Sequence, residues 1–203
     1  GGGLSIAPAD DIIVRVSRPL SLEPYDKMIV SIMAKKVAMG IKYLIIDLPY
    51  GPDTKIPNIR TAKDIAGKFQ PIAKSFGMKI VVKLDPARQP IGQGIGPTLE
   101  ARDVLRVLHQ KPDRPRDLEA KALGLAADLI TLSGMSNRDR AMKLSKEALT
   151  SGRAWKKMQD IISAQGGRAT VDANQLALDA VTARIAAPRS GRVVAINNRA
   201  IDE

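Results

Sequence analysis

Ser31 and Lys35 stand four residues apart in a segment of helical periodicity, which puts a hydroxyl and an ammonium on one helical face. With Glu23 just before the start of that helix, the set could hydrogen-bond a heterocyclic base. A small residue at a helix contact beside a solvated lysine is the plainer alternative. Lys55 lies in the loop Gly51-Pro-Asp-Thr-Lys-Ile-Pro57, just after an expected parallel strand. The carboxyl ends of such strands are where open α/β sheets take ligands, although a lysine on a surface loop is the commoner case. The glycines of Gln89-Pro-Ile-Gly-Gln-Gly-Ile-Gly-Pro97 could bring backbone N–H groups to an anion at a helix N-terminus. Their Gly-x-Gly-x-Gly spacing is neither the dinucleotide fingerprint nor a P-loop, and a tight structural connection is the commoner use of such a run.

Much chemistry is excluded by what the chain lacks. Cysteine is absent, which removes disulfides, thiolate metal sites and cysteine nucleophiles and fits a reducing compartment. The single His109, near a helix end, rules out multi-histidine metal sites and reads as a partly exposed surface residue. No carboxylates show the spacing of a metal motif, and Asp10-Asp11 is equally a turn pair.

The 203 residues include 32 Lys+Arg against 21 Asp+Glu, a net charge of +11, with 44% hydrophobic and 26% charged residues, enough apolar side chain for a folded core. The surplus charge attracts polyanions, but at 3% aromatic residues there are few platforms for stacked bases. Phosphorylated small molecules are therefore the expected partners and nucleic acid is not. No apolar run is long enough to cross a bilayer, so a soluble chain with no membrane partner is expected. The start at Gly1, without Met or a basic leader, suggests a fragment.

The elements that must position these residues follow from periodicity. Ile12–Val16 is rich in β-branched residues and predicts a buried strand. Met28, Ile29, Ile32, Met33 and Val37 predict a helix over Tyr25–Met39, stopped by Gly40. Tyr43–Leu48 predicts a buried parallel strand, Thr61–Phe76 a helix with Pro71 inside it, and Met78–Leu84 another strand. This alternation predicts an α/β fold with part of a mainly parallel sheet flanked by helices. A helix over Thr98–Leu108 presents Ala101, Val104, Leu105 and Leu108 inward. Amphipathic segments over Leu118–Leu132, Asp139–Thr150 and Ala154–Ala164 then form a helical layer. Two short β-rich runs around Pro188 and Ser190-Gly191, within Thr182–Ile196, predict a hairpin opening a β-containing unit.

Taken as strings, Gly1-Gly-Gly-Leu-Ser-Ile-Ala-Pro-Ala-Asp-Asp11, Ser31-Ile-Met-Ala-Lys-Lys36, the stretch from Gln89 to Leu105, Ala164-Gln-Gly-Gly167 and Ala187-Pro-Arg-Ser-Gly-Arg-Val-Val-Ala-Ile-Asn-Asn-Arg-Ala-Ile201 resemble the thymidine and pyrimidine-nucleoside phosphorylase family. Within it they are most similar to the archaeal-type AMP phosphorylases. The resemblance implies phosphorolysis of AMP, CMP or UMP to free base and ribose 1,5-bisphosphate. No cofactor is implied, inorganic phosphate being a co-substrate. The partners implied are nucleoside monophosphate and phosphate, in a cytoplasmic enzyme that is a homodimer or higher oligomer at full length. The alternatives are a thymidine or pyrimidine-nucleoside phosphorylase and, from another class, a non-catalytic basic module that binds nucleic acid.

By the same resemblance Glu23 falls at the proton-donor position, Ser31 and Lys55 at nucleotide-contacting positions, and Lys35 at a base-contacting position of the thymidine phosphorylase branch. Two residues depart from the AMP phosphorylase pattern: Glu23 stands where Asp is usual, and Gln93 where Arg is common. The resemblance further implies that residues 1–166 are the later half of a central α/β nucleotide-binding domain with its helical layer, 167–181 a linker, and 182–203 the start of a C-terminal domain. On that reading the phosphate-binding loops and a helical domain lie upstream, and the chain is expected to be inactive alone.

Overall fold

The computed structural model describes residues 8–17, 25–52, 54–178, 183–197 and 200–201. The chain divides into two compact units, Gly1–Pro86 and Ala87–Glu203. Its fold class is α/β, a partial α/β domain with a helical layer.

The first unit runs α1 (Pro8–Ser17), α2 (Tyr25–Ala38), β1 (Tyr43–Tyr50), α3 (Ile59–Ser75) and β2 (Lys79–Pro86). The strands pair in parallel, in register from Tyr43 opposite Lys79 to Tyr50 opposite Pro86. Parallel strands need a crossover, and α3 supplies it. Asn58 starts α3 by accepting the Thr61 N–H on its side chain at 3.0 Å. The helix then buries Ala62, Ile65, Phe69 and Ala73 along one stripe, continuing through Pro71. Against that stripe lie Leu44, Ile46 and Leu48 of β1, Ile80 of β2, and Ile29 and Met33 of α2. Phe69 is 0% exposed, whereas Phe76, which the periodicity puts on the same face, caps the helix and is 56% exposed.

One expected strand is corrected. Residues 12–16 lie within α1, and Ile12, Ile13 and Val16 are exposed. Pro8 takes the first helical position, where its preset φ and missing N–H cost nothing. A β-branched run makes a strand only when there is a sheet to pack on, and the described sheet consists of β1 and β2 alone.

The second unit contains α4 (Pro97–Leu108), α5 (Arg116–Leu132), α6 (Arg138–Thr150), α7 (Arg153–Ala164) and a 3₁₀ turn at Ala173–Gln175. Ala127 of α5 and Ala141 of α6 are fully buried, small enough to let helices approach closely. Arg138 joins the pair, donating to the Gly124 carbonyl at 3.1 Å and meeting Asp128 at 3.1 Å. The inner face of α4 also differs from expectation: Asp103, Leu105 and Val107 are buried, while Val104 is 38% exposed. The expected hairpin is likewise absent, since residues 183–197 form neither strand nor helix, with Ile185 95% and Val194 87% exposed. A two-stranded hairpin becomes stable in water only when a further strand or a helix covers it.

Glu119, in the first turn of α5, pairs with Arg114, accepts from the Gln110 side chain at 3.1 Å and faces Arg116 at 3.8 Å. Burial pushes its carboxyl up. The hydrogen bonds from Arg114 and Gln110 and the charges of Arg114 and Arg116 outweigh that and hold it below the ordinary carboxylate value.

Two outcomes follow for stability. Phe69→Ala is expected to cost roughly 3–5 kcal/mol in denaturant unfolding, and Phe76→Ala no more than about 0.5 kcal/mol. Because the Glu119 carboxyl is depressed in the fold, its contribution is complete above the unfolded-state value of about 4.3 and lost as pH falls through the folded value. Melting temperatures taken from pH 7 to 3 should therefore fall less steeply below about pH 4.3 in Glu119→Gln than in the unsubstituted protein.

Candidate functional site

Ser31 and Lys35 meet on α2: the Lys35 ammonium donates to the Ser31 hydroxyl at 2.8 Å. They share a helix with buried Ile29 and Met33, whose packing holds α2 against the sheet. Accepting from an ammonium, the Ser31 hydroxyl must turn its own proton elsewhere. The pair sets a hydroxyl beside a positive charge on one face of α2, groups of the kind that meet a base heteroatom or a phosphate oxygen.

Lys55 stands in the loop that leaves β1. That loop closes on itself through Gly51 N–H to the Ile56 carbonyl at 2.9 Å and the Thr54 hydroxyl to the Ile56 carbonyl at 2.7 Å. Ile56, 3% exposed, roots it in the core. The Tyr25 hydroxyl, at the start of α2, donates to the Lys55 carbonyl at 3.1 Å. The Lys55 residue itself is exposed. Ser31 and Lys35 are therefore in contact, and the backbone of Lys55 is tied to the first residue of their helix. Glu23 lies outside the described residues.

The glycine-rich turn in the second unit does bind an anion, and the anion is the chain's own. Gln93 N–H and Gly94 N–H donate to Asp103 Oδ2 at 2.7 and 2.8 Å, and Arg106 donates to Asp103 Oδ1 at 3.2 Å. Gly92 N–H donates to Asp117 at 3.0 Å, and the Gln93 side chain donates to the Asp113 carbonyl at 3.2 Å. A Cβ at Gly94 would stand 2.5 Å from the Leu99 backbone carbon, so glycine is needed for close packing against α4. Asp103, 2% exposed, is the important residue that sequence reasoning missed. Its signal was an Asp with Arg three residues on, an ion-pair spacing within a helix.

His109 ends α4 half-buried, its ring meeting Trp155 edge-on with centroids 4.3 Å apart. Its Nδ1 lies 3.6 Å from Asp172, which Lys111 also approaches at 3.2 Å. The Asn174 N–H, and after it Lys111, hold the Asp172 carboxyl below its ordinary value. His109 serves packing between α4, α7 and the 3₁₀ turn. Among the described residues no helix is long and apolar enough to cross a membrane.

No protein-family model matches the chain. Individual proteins do. The AMP phosphorylase of Thermococcus kodakarensis is 41% identical over 201 residues, 99% of this chain and 40% of that protein. That of Methanosarcina barkeri is 38% identical over 203 residues, 100% of this chain and 40% of that protein. A protein of Acidovorax sp., provisionally named thymidine phosphorylase 1, is 38% identical over 201 residues, 99% of this chain and 38% of its own length. The chain is related to these proteins from end to end, and it belongs, as a stretch about two fifths of their length, to the AMP and thymidine phosphorylase family.

Proposed function

We propose that the protein is a nucleotide phosphorylase, a pentosyltransferase acting in nucleotide salvage or degradation. Inorganic phosphate attacks C1′ of the ribose 5-phosphate of AMP, CMP or UMP, the bond from C1′ to the base breaks, and free base and ribose 1,5-bisphosphate depart. The observation that carries this reading is the 41% identity to an AMP phosphorylase over 99% of the chain, a match long enough to take in positions 23, 31, 35 and 55. Glu23 is the acid that protonates the departing base, a role that one extra methylene relative to Asp leaves open. Ser31 and Lys35, joined at 2.8 Å, hold the nucleotide at its base end. Lys55, on the loop leaving β1, contacts the nucleotide at the strand ends.

The chain spans about two fifths of the relatives' length, and we propose that its residues bind nucleotide without completing turnover. A cytoplasmic homodimer is the form proposed for the longer enzyme. A second reading, a nucleoside phosphorylase, is favoured by the Acidovorax relative at 38% identity.

Calorimetric titration separates these readings. Saturable binding of AMP, with thymidine bound far more weakly, is expected. The reverse order would select the nucleoside phosphorylase, while binding of random RNA that weakens steeply with salt and ignores AMP would select a nucleic-acid module. With the chain joined to the complementary parts of the Thermococcus relative, Glu23→Gln should keep AMP binding and lose about 10²–10⁴ of turnover. Glu23→Asp should retain turnover or improve it.

A further inference from the structure

Among the described residues, the loop carrying Lys55 is held at three points. Thr54 closes it from within, receiving the Ile56 N–H on its hydroxyl at 3.2 Å and donating that hydroxyl to the Gly51 and Ile56 carbonyls at 3.1 and 2.7 Å. Ile56 is sunk in the core at 3% exposure. The third hold comes from 30 residues upstream, where the Tyr25 hydroxyl donates to the Lys55 carbonyl at 3.1 Å. The Tyr25 ring packs against the core of the first unit, so its hydroxyl is delivered by a rigid, partly buried side chain at the head of α2. The first two holds act on the residues flanking Lys55. Tyr25 alone among these holds Lys55 itself, by the backbone, which leaves the ammonium outside the contact.

From this arrangement we propose that Tyr25 is a positioning residue for Lys55: its phenol couples the helix bearing Ser31 and Lys35 to the loop bearing Lys55, so that the cationic groups face one nucleotide in a preset arrangement. This rests on the nucleotide-binding reading of Lys55 given above. A long lysine side chain has many rotamers, and fixing the backbone from which it starts removes part of the ordering cost of binding. Tyr25 touches no substrate in this role. Its effect reaches the ligand only through Lys55.

A double-mutant cycle on the full chain, with AMP as the titrant in calorimetry, tests the proposal. Lys55→Ala should weaken AMP binding. Tyr25→Phe, which keeps the packed ring and removes the hydroxyl, should weaken it about three- to tenfold. In the Lys55→Ala background the same change should have no further effect, because nothing remains to position. Equal loss in both backgrounds would mean that Tyr25 merely stabilises the unit, and undiminished affinity in Tyr25→Phe beside a weakened Lys55→Ala would also overturn the proposal. If Lys55→Ala binds AMP as well as the unsubstituted chain does, or if that chain binds none, the nucleotide reading of Lys55 fails, and positioning for that ligand fails with it. The hold on the loop is then judged separately by amide exchange at Thr54 and Ile56. Faster exchange in Tyr25→Phe supports the hold, and unchanged exchange overturns it.

Discussion

Two parallel strands cannot be joined by a tight turn, because the chain must travel back along the sheet before the second strand begins. The rest of the first unit follows from that constraint. The return path is α3, seated by the single stripe of Ala62, Ile65, Phe69 and Ala73. With strands ending on the same side, the loop leaving β1 shares that end of the sheet with the head of α2, the helix that feeds β1. The hydrogen bond from Tyr25 to the Lys55 carbonyl is the visible sign of this arrangement. Residues distant in sequence thereby come to flank one end of the sheet, and it is connectivity, more than any local preference, that brings them there.

How much of this could be read from the sequence depended on whether the deciding contact was local. The pair of Ser31 and Lys35 was legible because a spacing of four on a helix is itself a contact. The strands predicted over Tyr43–Leu48 and Met78–Leu84, observed as Tyr43–Tyr50 and Lys79–Pro86, were legible by their apolar character, and so was their parallel order, because a helical pattern separates them. Residues 12–16 were misread since a β-branched run also fits a helix face when no strand lies beside it. The Tyr25 contact was invisible, as no local pattern foretells a bond across 30 residues. The inner face of α4 was misjudged for a different reason: hydrophobic patterning gives a buried carboxylate no credit, and Asp103 occupies that face.

Asp103 also shows how a glycine run that resembles a ligand cradle can be filled from within. Backbone N–H groups clustered in a turn create an electropositive hollow that requires an anion. Here a side chain ten residues downstream of Gln93 provides it, with Arg106 balancing the charge. Burying a carboxylate this deeply is tolerable only when it is hydrogen-bonded and paired, and the turn and the helix satisfy both conditions for each other. The glycine turn and α4 therefore form one interdependent element.

The distribution of aromatic residues has a spectroscopic consequence. The chain has three tyrosines and one tryptophan. Tyr25, Tyr43 and Tyr50 all belong to the first unit, whereas Trp155 belongs to the second. Tryptophan absorbs further to the red than tyrosine, so excitation at that edge reads the second unit alone and needs no label. Trp155 lies against His109 in the second unit, and its emission follows the surroundings of α7. The tyrosines in turn follow α2 and β1. The melting and ligand response of the second unit can thus be recorded by itself in one unmodified sample.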